Sequence, residues 1–335
     1  MPDGERKPNL WGALYGCLLC VVLTACSGTG KGSDDRLPSW RDGRAKQAIA
    51  DFVERVTDSG HPDFVAPQDR VAVFDNDGTL IIERPTLVQF EFLYSRIKAL
   101  AADHPEWKTT QPFQAVLEDD RKHLMEMGFR KRTPLVEAAQ ADISQDEFQR
   151  AAREFFVDGK HARYARRYLD LVYQPVLELV HYLQANAFKV FIVSGGGIEF
   201  IRSYAEDIYA VPKENVIGSS MKAILREEGG RPEVYRKPGY SSMNAGRFKP
   251  INIRLHTGRR PIFAIGNSDG DLDMLQYTAT NALPSLVLLI HHDDSEREYA
   301  YADESTAVRE TAAARGWTAV SMQGDFKTVF SGSAP

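Results

Sequence analysis

Residues 71–80 read Val71-Ala72-Val73-Phe74-Asp75-Asn76-Asp77-Gly78-Thr79-Leu80, and this stretch decides the fold. Four consecutive apolar residues are typical of a strand buried on both faces of a parallel sheet. Asp75 and Asp77 follow at once, and Gly78 lets the chain turn sharply behind them. Two carboxylates this close repel each other unless a cation lies between them. The stretch therefore predicts a buried strand that ends in a pair of acids with a bound cation.

Further short apolar runs have the same unbroken character. They lie at residues 190–193, 262–265 and 286–290. Segments with helical spacing separate most of the runs, as parallel crossovers require, and Pro175 begins one of them. We therefore predict an α/β fold with a doubly wound parallel sheet, similar to a Rossmann fold.

The interval between the first two strands is too long for a simple crossover. Its apolar residues have helical spacing, so residues 85–168 are predicted to form an α-helical cap inserted after the first strand. Residues 45–84 and 169–335 would then form the catalytic core. A second irregular segment, residues 219–240, is rich in glycine and charge and is interpreted as a surface hairpin.

Other polar residues follow strands at the edge where open α/β sheets bind ligands. Residues 194–197 read Ser-Gly-Gly-Gly, and a hydroxyl followed by unhindered backbone N–H groups at a helix start can hold an anion. A fixed cation beside such an anion would balance its negative charge. Lys249 is the candidate, and Arg247 and Lys237 are the alternatives.

Four segments in this order resemble the motifs of the haloacid dehalogenase superfamily. Residues 75–80 resemble its first motif, Asp-x-Asp-Gly-Thr-Leu, while Ser194 and Lys249 match the second and third motifs. Residues 266–271 resemble the fourth, Gly-Asp-x-x-x-Asp. The resemblance covers about residues 71–275 and is closest to phosphoserine-phosphatase-like members, whose helical cap follows the first motif.

This resemblance implies a Mg²⁺-dependent hydrolase of phosphomonoesters that acts through an aspartyl-phosphate on a small phosphorylated metabolite. Asp75 would be the nucleophile, and Asp77 would act as the acid and base. Ser194, the Gly195 N–H and Lys249 would bind the phosphoryl oxygens.

The same resemblance implies that Asp75, Asp77, Asn267 and Asp271 hold the Mg²⁺. Asn267 departs from the family pattern, which has an aspartate at this position. An amide oxygen can still coordinate a hard cation, but the site loses one negative charge. Asp269 is the alternative donor.

Weaker candidates have structural alternatives. Glu83 could bind a substrate amine or form a surface salt bridge, and the basic stretch 160–167 could meet an anionic substrate or be a solvated helix face. His291 and His292 are expected to be structural.

Two other functions remain open. A carbon–halogen hydrolase would use a carboxylate nucleophile, but it would need no metal and no second acid, so Asp77 argues against it. A catalytically weak or inactive binding lipoprotein with the same fold is favoured only by Asn267.

The beginning of the chain is predicted to be an export signal. Residues 1–25 combine a short basic start with an uncharged apolar run that is too short for a comfortable membrane span. The run ends in Leu-Thr-Ala-Cys26, which resembles the lipobox of bacterial lipoproteins and implies that Cys26 is lipidated. Residues 26–44, rich in Gly, Ser, Asp and Lys, are predicted to be a flexible tether.

Composition agrees with export. The cysteines are Cys17, Cys20 and Cys26, so none lies in the predicted body, where an oxidising compartment could pair it. The protein is expected in the periplasm or cell envelope, held to a membrane only through its lipid anchor. A hydrophobic fraction of 43% is typical of a globular protein, and a net charge of -5 argues against a nucleic-acid partner.

Overall fold

A single sheet of seven strands organises the computed structural model, which describes residues 36–303 and 305–332. The strands are β1 (Val71–Phe74), β2 (Lys189–Gly197), β3 (Val216–Glu228), β4 (Arg231–Ser242), β5 (Phe263–Gly266), β6 (Leu286–His291) and β7 (Thr318–Ser321). Their order is β4-β3-β2-β1-β5-β6-β7, and every neighbouring pair is parallel except β3 with β4. The predicted α/β fold is confirmed, with an antiparallel strand at one edge.

Helices precede, connect and follow these strands. They are α1 (Arg44–Thr57), α2 (Val88–Leu100), α3 (Phe113–Leu117), α4 (Arg121–Glu126), α5 (Phe129–Gln140), α6 (Gln145–Asp158), α7 (Gln174–Ala185), α8 (Ile198–Arg202), α9 (Ala205–Tyr209), α10 (Phe248–Thr257), α11 (Leu272–Ala279), α12 (Thr306–Arg315) and α13 (Met322–Asp325). Short 3₁₀ turns lie at Pro67–Asp69, Pro105–Thr109, Tyr168–Asp170, Lys213–Asn215 and Asp269–Asp271.

Strand β1 is apolar on both faces because both faces are covered. Val71 and Val73 belong to the hydrophobic cluster that includes residues of α10, α11 and α12. Ala72 and Phe74 belong to the cluster on the other face, which includes residues of α1 and α7. Since successive side chains of a strand point to opposite faces, an unbroken apolar run is what a doubly covered strand needs.

Helices α2–α6 lie between β1 and β2 in the chain, within the segment predicted as a cap. Strands β3 and β4 form the long hairpin expected near residues 219–240, and its far end is exposed. The hairpin also contacts the cap, because the Arg236 N–H donates to the Ile143 carbonyl at 3.0 Å and the Asp142 N–H donates to the Arg236 carbonyl at 2.9 Å. The β3–β4 hairpin of the core therefore packs against the cap segment.

The folded part begins earlier than the sequence indicated. Residues from Arg36 onward belong to one compact unit, whereas a tether was predicted over residues 26–44. Trp40 is fully buried, donates from Nε1 to the Pro175 carbonyl at 2.8 Å and packs edge-on against Phe326. These partners are distant in the chain, so local composition gave no sign of them.

The predicted signal peptide, residues 1–25, and Cys26 lie outside the described residues. Within the part of the chain that the structure describes, no helix has the length and apolar character required to cross a bilayer.

Candidate active site

Three predicted residues meet in a buried ion-paired group. Asp75 follows β1 directly, Lys249 lies in the first turn of α10, and Asp271 ends the 3₁₀ turn after β5. Lys249 Nζ donates to Asp75 Oδ1 and to Asp271 Oδ1, each at 2.5 Å, and all three side chains are buried. Parallel β1 and β5 pair Phe74 with Ile265, which brings the ends of both strands to the same point.

Neither alternative cation reaches this point. Arg247 is exposed, and Lys237 pairs with Asp142 at the surface. Lys249 is therefore the cation that the fold places beside Asp75.

The electrostatics of the group favour a further positive charge. Burial and the neighbouring Asp271 raise the pKa of Asp75 well above its usual range, although Lys249 opposes them. Burial opposes the charge of Lys249, but Asp271 and Asp75 together outweigh it and raise its pKa. With Asp77 close by, three acids share one lysine, which suits a centre that receives a divalent cation.

Asp77 faces the loop after β2. Ser194 Oγ donates to Asp77 Oδ2 at 3.3 Å and accepts from the Gly196 N–H at 2.9 Å. Burial raises the pKa of Asp77, while hydrogen bonds from Asn76 and Ser194 lower it. A carboxyl group with a raised pKa is suited to transferring a proton near neutral pH.

The glycine segment differs from its prediction. A helix start was expected directly after Ser194, yet β2 continues through Gly197, which pairs with Ser219 of β3, and α8 begins only at Ile198. A Cβ on Gly196 would lie 2.9 Å from Gln89 Oε1, so a side chain there would have to displace Gln89. Gly195 is part of the same extended segment, and its carbonyl accepts from Ser219 Oγ.

Asp271 organises the loop after β5. Its Oδ2 accepts from the N–H groups of Asn267 and Ser268 at 3.1 Å each, while its Oδ1 accepts from Lys249. Both oxygens therefore already have partners that fix the loop and the lysine.

Asn267 connects this loop to the turn after β1. Its Oδ1 accepts from Thr79 Oγ1 at 3.2 Å, and its Nδ2 donates to Glu83 Oε1 at 2.8 Å. Gly78 has a φ of 73°, and a Cβ there would lie 2.2 Å from Asn267 Nδ2. The two motifs thus pack against each other across a position that only glycine can occupy.

Glu83 is a partner of Asn267 that the sequence did not reveal. It accepts from Tyr301 O–H at 2.6 Å in addition to Asn267 Nδ2. Burial raises its pKa, and the Tyr301 hydrogen bond opposes this. The carboxylate of Glu83 therefore contacts residue 267, the position at which the family pattern has an aspartate.

Asp269, the alternative metal donor suggested by the sequence, contacts the start of α12. Its Oδ1 accepts from the Val308 N–H at 2.7 Å, in the first turn of α12. It acts as a helix cap, so the structure directs it away from the role of alternative metal donor.

The remaining candidates make structural contacts. His292 is buried, lies 2.8 Å from the Gly78 carbonyl through Nε2 and stacks on Tyr301. In the basic stretch, Arg163 donates to the carbonyls of Glu298 and Ser295, and Arg167 pairs with Asp170. His161 is buried, while His291 is partly exposed.

The donor chemistry of the centre fits Mg²⁺. Within residues 36–303 and 305–332, no three His, Cys, Asp or Glu side chains are already arranged as a complete set of metal ligands. A cation would therefore depend on the carboxylates of Asp75 and its neighbours, the Asn267 amide oxygen, and main-chain or phosphate oxygens. Mg²⁺ commonly accepts such a set with only one or two carboxylates.

Comparison with known proteins identifies the family. The model of the haloacid dehalogenase-like hydrolase family matches residues 72–276. The comparison with curated proteins found no match.

A comparison with solved structures also found matches. A conserved protein of unknown function from Anaerococcus prevotii DSM 20548 is 14% identical, with 85% of this chain and 94% of that one covered and a TM-score of 0.55. A phosphoserine phosphohydrolase-like protein from Francisella tularensis subsp. tularensis SCHU S4 is 18% identical (73% and 99% covered, TM-score 0.34). A probable phosphoserine phosphatase from Vibrio cholerae is 16% identical (77% and 62% covered, TM-score 0.38). At 14% identity, the likeness to the Anaerococcus prevotii protein concerns the fold alone.

Proposed function

This chain belongs to the haloacid dehalogenase-like hydrolase family, and on that basis we propose that it is a phosphatase that cleaves a small phosphomonoester through an aspartyl-phosphate at Asp75. The observation that carries the proposal is the convergence of Asp75, Asp77, Ser194 and Lys249 from separate elements on one edge of the sheet. Such an arrangement supplies a nucleophile, a proton donor, a hydroxyl and a fixed cation around one phosphoryl group.

In the first step, an oxygen of Asp75 attacks phosphorus and forms a bond to it. The bond from phosphorus to the leaving oxygen breaks, and that oxygen takes the proton of Asp77. Lys249 favours the ionised form of Asp75 and stabilises the negative charge on the phosphoryl oxygens, and Ser194 and the Gly195 N–H bind those oxygens.

In the second step, Asp77 has lost its proton and acts as a base. It takes a proton from water while the water oxygen attacks phosphorus, and the aspartyl–phosphorus bond breaks to release phosphate and restore Asp75. Mg²⁺ held by Asp75, Asp77, Asn267 and Asp271 would supply positive charge for the phosphate.

The two alternative functions would require fewer of these residues. A carbon–halogen hydrolase has no need for Asp77 or for its contact with Ser194. A binding protein without catalysis has no need for a buried lysine between two acids, an arrangement that is costly to desolvate.

Trapping the intermediate tests the proposal. Full-length protein is incubated briefly with ³²P-labelled phenyl phosphate and Mg²⁺, then quenched in acid. The wild type should retain label and hydrolyse p-nitrophenyl phosphate, whereas Asp75→Asn should do neither. Asp273→Asn, an exposed site on α11, is the matched control. Asp75 would be excluded as the nucleophile if the Asp75→Asn protein retained label. It would also be excluded if that variant kept more than a few per cent of the wild-type rate.

We also propose that the protein is an exported lipoprotein, held to a membrane of the cell envelope through Cys26. The Leu-Thr-Ala-Cys sequence after an uncharged apolar run supports this, as does the lack of cysteine after residue 26. Its partner would be a small phosphorylated substrate rather than a nucleic acid, in keeping with a net charge of -5.

A further inference from the structure

A cavity of about 280 Å³ lies between the cap and the core, next to the proposed phosphate site. Residues 195–197, the glycine segment of β2, form part of its lining. A Cβ on Gly196 would lie 3.7 Å from Asp77 Oδ2, so the proposed proton donor adjoins this lining. The volume is near the lower end of small-molecule sites, about 300–1,000 Å³. The part of a substrate that leaves with the protonated oxygen would occupy this space.

The walls of the cavity are mainly apolar. They come from α2 and α5 of the cap and from the β3–β4 hairpin and the segment after it. The apolar and aromatic side chains are Leu87, Phe90, Leu93, Phe129, Val136, Met221, Tyr240 and Met243. Phe129 is 45% exposed, with its ring centroid 6.3 Å from that of Tyr240. An aromatic ring left uncovered at a ligand-sized cavity favours an apolar ligand.

Two guanidinium groups line the same cavity, and the described residues provide no carboxylate within ion-pair distance of either. Arg132 lies over Phe90, with its Cζ 4.2 Å from the ring centroid. Arg236 is 5% exposed, and among the described residues its guanidinium donates only to the neutral amides of Gln140 at 2.6 Å and Gln145 at 3.1 Å. The Nε atoms of both arginines are buried without a hydrogen-bond partner.

Arg236 remains charged in the fold. Burial lowers its pKa to about 10 although the charge of Glu199 opposes this, so the side chain stays protonated at neutral pH. A buried cation without a carboxylate in ion-pair contact is costly, and an anionic ligand would offset that cost. None of the described side chains that line the cavity is an aspartate or a glutamate, so no carboxylate there would pair with an ammonium group.

Glu83 does not supply the missing carboxylate. It is bonded to Asn267 and Tyr301 and lines a separate cavity together with His291 and Arg309. The role considered for it, binding a substrate amine, therefore has no support from its position.

We propose that the cavity selects phosphomonoesters whose leaving group is apolar, has the size of an aromatic ring and carries an anionic group at its far end. Arg132 and Arg236 bind that anion, the apolar walls hold the ring, and phosphates whose leaving group carries an amine and no anion, such as phosphoethanolamine, are disfavoured. The inference rests on the proposed function, because the phosphate is taken to bind at Ser194 and Lys249.

Calorimetry with phosphonates, which cannot be hydrolysed, tests this directly. Full-length wild type should bind 4-carboxybenzylphosphonate at least about tenfold more tightly than benzylphosphonate, and benzylphosphonate more tightly than 2-aminoethylphosphonate, as one charge-assisted hydrogen bond implies. Arg132→Gln should remove most of the tenfold preference for the carboxylated compound over benzylphosphonate, and Arg132→Lys should restore part of it. Arg153→Gln, an exposed change on α6, is the control.

Affinity and turnover are read separately. If 2-aminoethylphosphonate binds as tightly as the carboxylated compound, or if Arg132→Gln keeps the full preference in a folded protein, the inference is wrong. Arg236→Gln tests the buried cation in the same way. If wild type fails to hydrolyse p-nitrophenyl phosphate yet shows the expected order of affinities, the proposed function is wrong and the binding preference stands.

Discussion

At the scale of single residues, Lys249 has two roles that mutation can separate. It neutralises Asp75 and Asp271 in a buried site, and it provides the cation proposed for phosphoryl transfer. Removing one member of a buried ion pair is strongly destabilising because the other charge stays uncompensated.

We therefore expect Lys249→Met to lower the free energy of unfolding by about 3–5 kcal/mol at neutral pH. Urea unfolding would measure this, with the exposed Lys213→Met as the control. A loss below about 1 kcal/mol, the range of exposed pairs, would mean that the acids are not held as a buried group.

The Asn267–Glu83 contact gives a second prediction about charge. Asn267→Asp should tighten Mg²⁺ binding because it adds a carboxylate to the proposed site. The same change places two carboxylates in contact, since Asn267 Nδ2 lies 2.8 Å from Glu83 Oε1. The metal-free variant should therefore have a lower Tm than the wild type.

The double variant Asn267→Asp with Glu83→Gln should recover that Tm and keep the tighter Mg²⁺ binding. Calorimetry with Mg²⁺ and thermal unfolding in chelator measure the two effects. Asp269→Asn is the control for affinity, because Asp269 caps α12 instead. If Mg²⁺ affinity is unchanged in both variants, Asn267 is not a Mg²⁺ ligand.

Local chemistry made some of these residues predictable and left others hidden. Asp75 and Asp77 follow a buried strand within the same ten residues, so the sequence alone indicates a cation site there. Glu83 and Asn267 are 184 positions apart, and only the packing of two loops around Gly78 brings them together. A contact of this kind leaves no local pattern.

At the scale of elements, the joint between the cap and β1 depends on a neutral histidine. His161 Nε2 donates to the Arg84 carbonyl at 2.8 Å, and its Nδ1 accepts from the Arg163 N–H at 3.1 Å. Burial lowers its pKa, although the Arg84 hydrogen bond opposes this. In the unfolded chain the pKa would return to about 6.5.

The sign of the pH effect follows from these two states. Because the folded pKa is the lower one, the unfolded chain binds the extra proton first as the pH falls below about 6.5. The stability that neutral His161 provides is therefore complete above that pH and is lost as the pH falls towards the folded pKa. His161→Gln should lose less stability than the wild type between pH 7.5 and 5.5.

Urea unfolding at the two pH values checks this, and the exposed His181→Gln serves as the control. Equal pH dependence in the wild type and His161→Gln would show that His161 does not contribute to the acid sensitivity.

Secondary structure differed from its prediction where the local sequence has only a weak conformational preference. Three successive glycines favour neither strand nor helix, so pairing of Gly197 with Ser219 decides that β2 continues beyond Ser194. The four consecutive apolar residues of β1, by contrast, favour a strand that is covered on both faces. The structure confirms that strand, with all four residues buried.

At the scale of the whole molecule, the proposed lipid anchor would fix where the enzyme works. Expressed in a bacterium, the wild type should incorporate an alkyne fatty-acid probe and sediment with membranes. Cys26→Ser should be unlabelled and soluble, because a lipid chain rather than a spanning helix would hold the protein. Cys20→Ser is the matched control, and a wild type without label would leave only an ordinary signal peptide.

The β3–β4 hairpin, finally, makes the protein modular. Both of its ends belong to the sheet, while Leu225 near its tip is 72% exposed, so its length can change without disturbing the catalytic loops. Met221, Arg236 and Tyr240, which line the cavity, all belong to this hairpin. Exchanging the part of the hairpin beyond Ser220 would redirect substrate choice while the pairing of Gly197 with Ser219 and the chemistry at Asp75 stay intact, which gives evolution and the protein engineer the same short route to new specificities.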